Sequence, residues 1–142
     1  MLIILIFYLK IKMSLNLKNE LLKAFKPVKR TLKEYKYYIQ DLETEKAKLK
    51  TMEEEKKEES DINRQKYSVE ETEGAKKQTY KTLLKFIEPL KEIIEKIEAD
   101  DSNDEEFLKQ QAEVKDMTEY IEAKEHIKET NEIVESEGAA NA

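Results

Sequence analysis

The sequence predicts an all-α protein, specifically an elongated antiparallel three-helix bundle with coiled-coil-like packing. Its 142 residues suffice for one domain, and 41% of them are charged. Only two glycines and two prolines are present, too few for the many turns of a β-sandwich or for a glycine-rich phosphate-binding loop. Apolar residues recur at alternating steps of four and three, the heptad spacing of helices that pack along their length.

Residues 1–12 differ from the rest of the chain. Leu2–Leu9 reads LIILIFYL and is followed by Lys10 and Lys12. Eight residues are too few to span a bilayer as a helix, which takes about 20, and a signal peptide carries its basic residues before the apolar run. Because Met13 opens a sequence typical of a protein start, we predict that residues 1–12 are an extension from an upstream start codon and need not be translated. A short strand that touches a membrane or docks on a partner is the alternative.

Helix one is predicted at about residues 18–57, with its main part beginning near Pro27, because proline is tolerated in a first turn. One lysine, Lys46, interrupts its apolar seam. The other seam positions are Leu21, Phe25, Val28, Leu32, Tyr35, Ile39, Leu42 and Leu49.

Helix two is predicted at about 61–98, with Ser60 or Asp61 as its cap. Gly74 weakens its first half, and Pro89 is expected to kink the helix rather than divide it. A bend at Gly74, at Pro89 or at both remains open. The predicted seam consists of Ile62, Val69, Tyr80, Leu83, Ile87, Leu90, Ile94 and Ile97.

Helix three is predicted at about 104–134, within a bundle that covers residues 13–135. Residues 136–142 are predicted to form a disordered tail. The seam of helix three consists of Phe107, Val114, Met117, Ile121 and Ile127.

The residue types argue against most catalytic chemistry. There is no cysteine and a single histidine, His126, which the pattern places on the surface. Thiolate sites, catalytic triads and multi-histidine metal sites therefore lack their parts. We predict no catalytic residue, no cofactor and no metal, and hence a binding protein rather than an enzyme.

The charge is unevenly distributed. Residues 1–50 contain twelve Lys/Arg and five Asp/Glu, a net charge of +7, so the remainder carries −13 of the total of −6. Either a basic helix packs beside acidic ones, or a charged surface steers a protein partner. Tyr37 and Tyr38 flank the seam of helix one, where they either cover its edge or contact a partner. The overall negative charge argues against nucleic acid.

Several segments, in order and without a gap, resemble the tubulin-specific chaperone A (tubulin-binding cofactor A) family. They are VKRTLKE at Val28–Glu34, Tyr38, Met52 nine residues before Asp61, SDINRQ at Ser60–Gln65, and LLKFIEPLKEII at Leu83–Ile94. The resemblance covers about residues 20–130. Residues 1–12 have no counterpart in the family.

The resemblance implies a non-enzymatic chaperone in the cytoplasm, associated with the cytoskeleton. It would capture β-tubulin folding intermediates after chaperonin release, ahead of α/β-tubulin heterodimer assembly. Other tubulin-folding cofactors are implied as further partners, membrane and nucleic acid are not, and the chain is a monomer or a homodimer. An alternative is the helical interaction domain of a membrane-trafficking, SNARE-like protein. The polar residues that match the family, expected to be exposed and to bind the partner, are Lys29, Arg30, Lys33, Glu34, Asp61 and Gln65.

Overall fold

The protein is all-α, as the sequence predicts. The computed structural model describes the backbone of residues 1–140 and the side chains of residues 1–9 and 17–138. Within the described backbone there are four helices: α1 (Leu2–Glu54), α2 (Glu59–Glu98), α3 (Glu105–Lys115) and α4 (Thr118–Ala140).

The predicted third helix is divided in two, which corrects the predicted number of helices. After α3, the backbone N–H of Asp116 donates to the carbonyl of Glu113 (3.3 Å), and that of Met117 donates to Val114 (3.0 Å). These tighter bonds end the helix, and α4 begins at Thr118 in a new register. As a result Tyr120 is buried, whereas the predicted seam residue Ile121 is exposed.

The ends of the helices also differ from the prediction. Pro27 lies inside α1, where the buried Phe25 and Val28 on either side keep the chain packed. Helix α1 ends at Glu54, and Lys56 adopts the left-handed region with φ 52°. A left-handed residue after the last turn is a common helix end, usually marked by glycine. The lysine here gave no such signal.

The predicted disordered tail is helical as far as Ala140, and residues 141–142 lie outside the described residues. Helix α2 continues through both Gly74 and Pro89, so the expectation that Pro89 does not divide it is confirmed.

The chain forms two compact units. Unit 1 consists of residues 1–29 and 85–142, and unit 2 consists of Arg30–Leu84. The core of unit 1 is mainly apolar, although Gln110, Gln111 and Thr130 are also buried there. The fully buried apolar side chains, from α1, α2 and α4, include Leu17, Leu21, Val28, Ile87, Leu90, Ile97 and Ala123.

Unit 2 is an antiparallel pair made of the second part of α1 and the first part of α2. Its core is mixed: Leu32, Tyr35 and Leu42 of α1 are buried, but the buried positions of α2 are largely polar. These buried residues are Gln65, Val69, Thr72 and Thr79. Most of them lie one position before the position that the heptad count assigns to the seam. The threonines can be buried because each hydroxyl donates to a carbonyl one turn earlier, at 3.0 Å for Thr72 and 2.8 Å for Thr79.

Candidate functional site

An exposed patch on α1 combines three predicted site residues with a tyrosine. Arg30, Lys33, Glu34 and Tyr37 follow the spacing i, i+3, i+4 and i+7, which places them on one helix face. All four are exposed, and the Tyr37 side chain is 62% accessible. The side chains of Arg30, Lys33 and Glu34 make no ion pair or hydrogen bond with another described residue. We call these four residues the α1 patch.

The opposite side of the same helix segment holds the patch in place. Leu32 and Tyr35 are each 2% exposed, and the Tyr35 ring lies 6.2 Å from the Tyr80 ring of α2. The Lys76 ammonium lies 5.9 Å from the centre of the Tyr35 ring, within the range of a cation–π contact. The patch is therefore presented by a packed helix, with its charged groups and the Tyr37 ring exposed.

Lys29 is exposed but already engaged within unit 1. Its ammonium lies 3.6 Å from the Glu122 carboxylate and 5.6 Å from the centre of the Phe25 ring. An exposed ion pair of this kind contributes little to stability. A partner could exchange it for another contact at little cost.

Asp61 lies far from the α1 patch along unit 2. It is exposed in the first turn of α2, where a carboxylate is favoured by the helix dipole. It lines an open groove with Met52 and three basic side chains, Lys48, Lys57 and Arg64. Since the nearest groove residue of α1, Lys48, lies 11 positions after Tyr37, the groove begins about 17 Å along α1 from the patch. Asp61 and the patch therefore cannot form one compact site.

Gln65 is not an exposed contact residue, which corrects the prediction. Its side chain is 6% exposed. Its amide nitrogen donates to the Glu45 backbone carbonyl at 2.9 Å and to the Glu45 carboxylate at 2.6 Å. Ser68 donates to the same carboxylate oxygen at 2.8 Å. Gln65 thus joins α1 to α2.

Sequence reasoning missed Glu45 and Ser68 as members of this link. The hydrogen bonds from Ser68 and then Gln65 lower the pKa of the Glu45 carboxyl below its ordinary value, because they favour its charged form. Neither residue stood out, since Lys/Glu-rich helices offer many such side chains and the partners are 20 and 23 positions apart.

His126 is half-buried rather than on the surface. Its ring stacks on Phe25, with centroids 5.6 Å apart and an interplanar angle of 7°. Neither ring nitrogen has a hydrogen-bond partner among the described residues. Stacking on Phe25 therefore accounts for its placement, and within the described part of the chain His126 belongs to no metal-ligand cluster.

Unit 1 contains an open apolar groove. Ala24 and Pro27 of α1 face Phe86, Pro89 and Ile93 of α2 across it. The Lys96 ammonium and the Glu20 carboxylate, 3.3 Å apart, bound one end. Such a groove offers apolar contact area to a partner.

Among the described residues, no group of three or more His, Asp or Glu is arranged to hold a metal ion. No helix in the described part of the chain is long and apolar enough to cross a membrane.

Comparison with known families shows which family the chain belongs to. The family model described as tubulin binding cofactor A matches residues 16–114, more than half of the 142 residues. The chain belongs to the tubulin binding cofactor A family. The match includes the α1 patch, the Asp61 groove and the apolar groove, and it ends near the end of α3. No curated protein and no solved structure is significantly similar to the chain.

Proposed function

We propose that the chain binds β-tubulin folding intermediates after their release from the chaperonin and holds them ahead of α/β-heterodimer assembly. The observation that carries this proposal is the family match over residues 16–114, which contains every predicted partner-binding residue. The protein acts by binding, without catalysis, in the cytoplasm and in association with the cytoskeleton. Other tubulin-folding cofactors are its further partners.

The α1 patch is the proposed recognition surface. Arg30 and Lys33 are exposed, and no other described residue neutralises them. Charges of this kind raise the rate of encounter with an oppositely charged partner and fix its orientation. Tyr37 adds a large contact area at low cost in side-chain freedom. Lys29 and Asp61 lie outside the patch and are proposed as secondary contacts, whereas Gln65 supports the fold.

That the helices pack together as an antiparallel three-helix bundle stays a prediction. It would offer a partner helical surfaces rather than an enclosed cavity. The binding proposal needs only the exposed faces described above.

Co-elution tests the proposal. Purified protein is mixed with β-tubulin or with α-tubulin, each freshly released from chaperonin, and passed over a sizing column. We expect β-tubulin alone to co-elute at 0.1 M salt and to separate at 1 M salt, because the Debye length shortens from about 10 Å to about 3 Å. Failure of β-tubulin to co-elute at low salt, with the protein shown to be helical by circular dichroism, would refute the proposed function.

A further inference from the structure

The first turns of α1 carry an apolar surface that the rest of the described chain does not cover. The side chains of Leu2–Leu9 are between 47% and 80% exposed. Eight helical residues make just over two turns, so these side chains point in every direction around the helix. Single exposed apolar residues such as Tyr67 and Ile121 are ordinary, but a continuous exposed run indicates a binding surface.

The segment that follows is strongly basic. Residues 10–29 contain six lysines and one acidic residue, Glu20, a net charge of +5 in a chain whose total is −6. Lys18, Lys23, Lys26 and Lys29 are exposed, and Glu20 is paired with Lys96. An apolar helix followed by lysines complements a lipid surface that carries negative charge.

The same charge argues against a second copy as the occupant. Two copies packed in parallel through Leu2–Leu9 would bring their following lysines near each other, and like charges across a contact oppose association. An anionic bilayer instead offers hydrocarbon for the apolar side chains and phosphate and carboxylate groups for the lysines.

The length of the segment decides how it meets the bilayer. Eight residues extend about 12 Å along α1, much less than the roughly 30 Å of hydrocarbon in a bilayer. The segment is therefore too short to cross, and it lies in the plane of the interface, as interfacial helices do. In this orientation Lys18 and Lys26, exposed on the same continuous helix, can reach the headgroups. Tyr8, near its end and 60% exposed, is a residue type that favours the boundary between hydrocarbon and headgroups.

We propose that Leu2–Leu9 inserts into the surface of an anionic membrane while exposed lysines of residues 18–29, among them Lys18 and Lys26, contact its headgroups. The protein would thereby bind membranes peripherally. The proposal takes up the alternative of a membrane-touching segment, here a helix, in place of an extension that need not be translated. It also departs from the family resemblance, which implies no membrane partner. The proposal does not depend on tubulin binding.

Vesicle co-sedimentation of the full chain tests it. The vesicles contain phosphatidylcholine, with or without about one third phosphatidylserine. We expect the protein to sediment with the anionic vesicles at 0.1 M salt and less so at 1 M salt, where charge interactions are screened. Ile4→Gln with Phe7→Gln should weaken binding by about tenfold or more for each apolar side chain lost. Lys18→Gln with Lys26→Gln should weaken it by about fivefold for each lysine.

The matched control is Tyr67→Gln with Ile121→Gln, which removes two other exposed apolar side chains and should leave vesicle binding unchanged. If the wild-type chain, helical by circular dichroism, stays in the supernatant with both kinds of vesicle, the proposal is overturned. A dimer that Ile4→Gln with Phe7→Gln dissociates, without any vesicle binding, would assign the segment to a second copy instead. Equal loss of binding in the control variant would also contradict a role specific to Leu2–Leu9.

Discussion

At the scale of single residues, Gly74 is a position where the natural side chain weakens its helix. It lies within α2, is exposed, and a β-carbon added there would meet nothing within 4 Å. Glycine inside a helix costs about 0.5–1 kcal/mol relative to alanine. We predict that Gly74→Ala raises the free energy of unfolding by this amount, as measured by urea unfolding. A decrease would mean that unit 2 needs the backbone freedom of glycine at this point.

Tyr120 and Glu98 form a pair whose strength depends on pH. The Tyr120 hydroxyl donates to Glu98 at 2.6 Å, and the Lys124 ammonium lies 2.9 Å from the same oxygen. Burial, and then the bond to Glu98, raises the pKa of Tyr120 from 10.0 to about 12. The bonds from Tyr120 and Lys124 lower the pKa of Glu98.

The raised pKa of Tyr120 makes its contribution to the free energy of unfolding depend on pH. The folded state keeps the phenol proton up to pH about 12, while the unfolded chain loses it near pH 10. This contribution is therefore complete below pH 10 and is lost as the pH rises from 10 to 12. We predict that wild type is more stable than Tyr120→Phe at neutral pH and that the difference narrows in this window. Urea unfolding of both proteins across the window measures it, and a constant difference would contradict the role of the hydrogen bond.

The burial of a side chain could be predicted from sequence where it depends on the apolar or polar character of the residue. It could not be predicted where it depends on a hydrogen-bond partner far away in the sequence. Exposure of Arg30, Lys33 and Glu34 matches the expectation from sequence. Gln65 does not, because its burial depends on Glu45, 20 positions away. Spacing within one helix carries no information about such a partner.

At the scale of helices, the apolar half of α2 follows the heptad pattern and its polar half does not. Leu83, Ile87, Leu90, Ile94 and Ile97 are buried as predicted. Earlier in the helix, lysines and glutamate occupy the extrapolated seam, and the buried stripe moves to Gln65, Thr72 and Thr79. The pattern could not reveal this shift because hydrogen-bonded polar residues replace the apolar ones that define a seam.

The division of the third predicted helix into α3 and α4 was also not visible in the residue pattern. Asp116 and Met117 lie between α3 and α4, and neither is a glycine or a proline. The turn is stabilised by backbone bonds to Glu113 and Val114, for which the sequence gives no strong local signal. The segments that carry the family resemblance did not supply it either, since the last of them ends at Ile94.

Two adjacent leucines of α2 provide a test of the helix register. Leu83 is 0% exposed and Leu84 is 36% exposed. We predict that Leu83→Asp lowers the free energy of unfolding by several kcal/mol, since it buries an unpaired charge. Leu84→Asp makes the same chemical change on the outer face and should cost about 1 kcal/mol or less. Thermal unfolding followed by circular dichroism compares the two, and equal losses would place the buried face elsewhere.

At the scale of the whole molecule, the charge asymmetry in the sequence corresponds to exposed basic side chains on α1. The first 50 residues carry +7 within a chain of −6, and most of their lysines, together with Arg30, are among the exposed residues of this helix. Packing against acidic partners accounts for part of the asymmetry, as the pairs Lys29–Glu122 and Lys46–Glu73 illustrate. Arg30 and Lys33 of the α1 patch are among the exposed cations of this helix that form no such pair with a described residue.

Charge reversal in the patch measures its role most directly. Arg30→Glu with Lys33→Glu removes both patch cations. Lys109→Glu with Lys128→Glu makes the same change in net charge at exposed positions on α3 and α4. Both variants should keep the wild-type melting temperature within a few degrees, because exposed substitutions usually change stability by less than about 0.5 kcal/mol.

The deciding measurement is the amount of chaperonin-released β-tubulin that each protein retains at 0.1 M salt. The account predicts at least about a tenfold loss for the patch variant, as expected for the loss of about 1.4 kcal/mol of binding free energy. It predicts retention near the wild-type level for the control variant. Equal retention by the two variants, with both folded, would contradict recognition through the α1 patch.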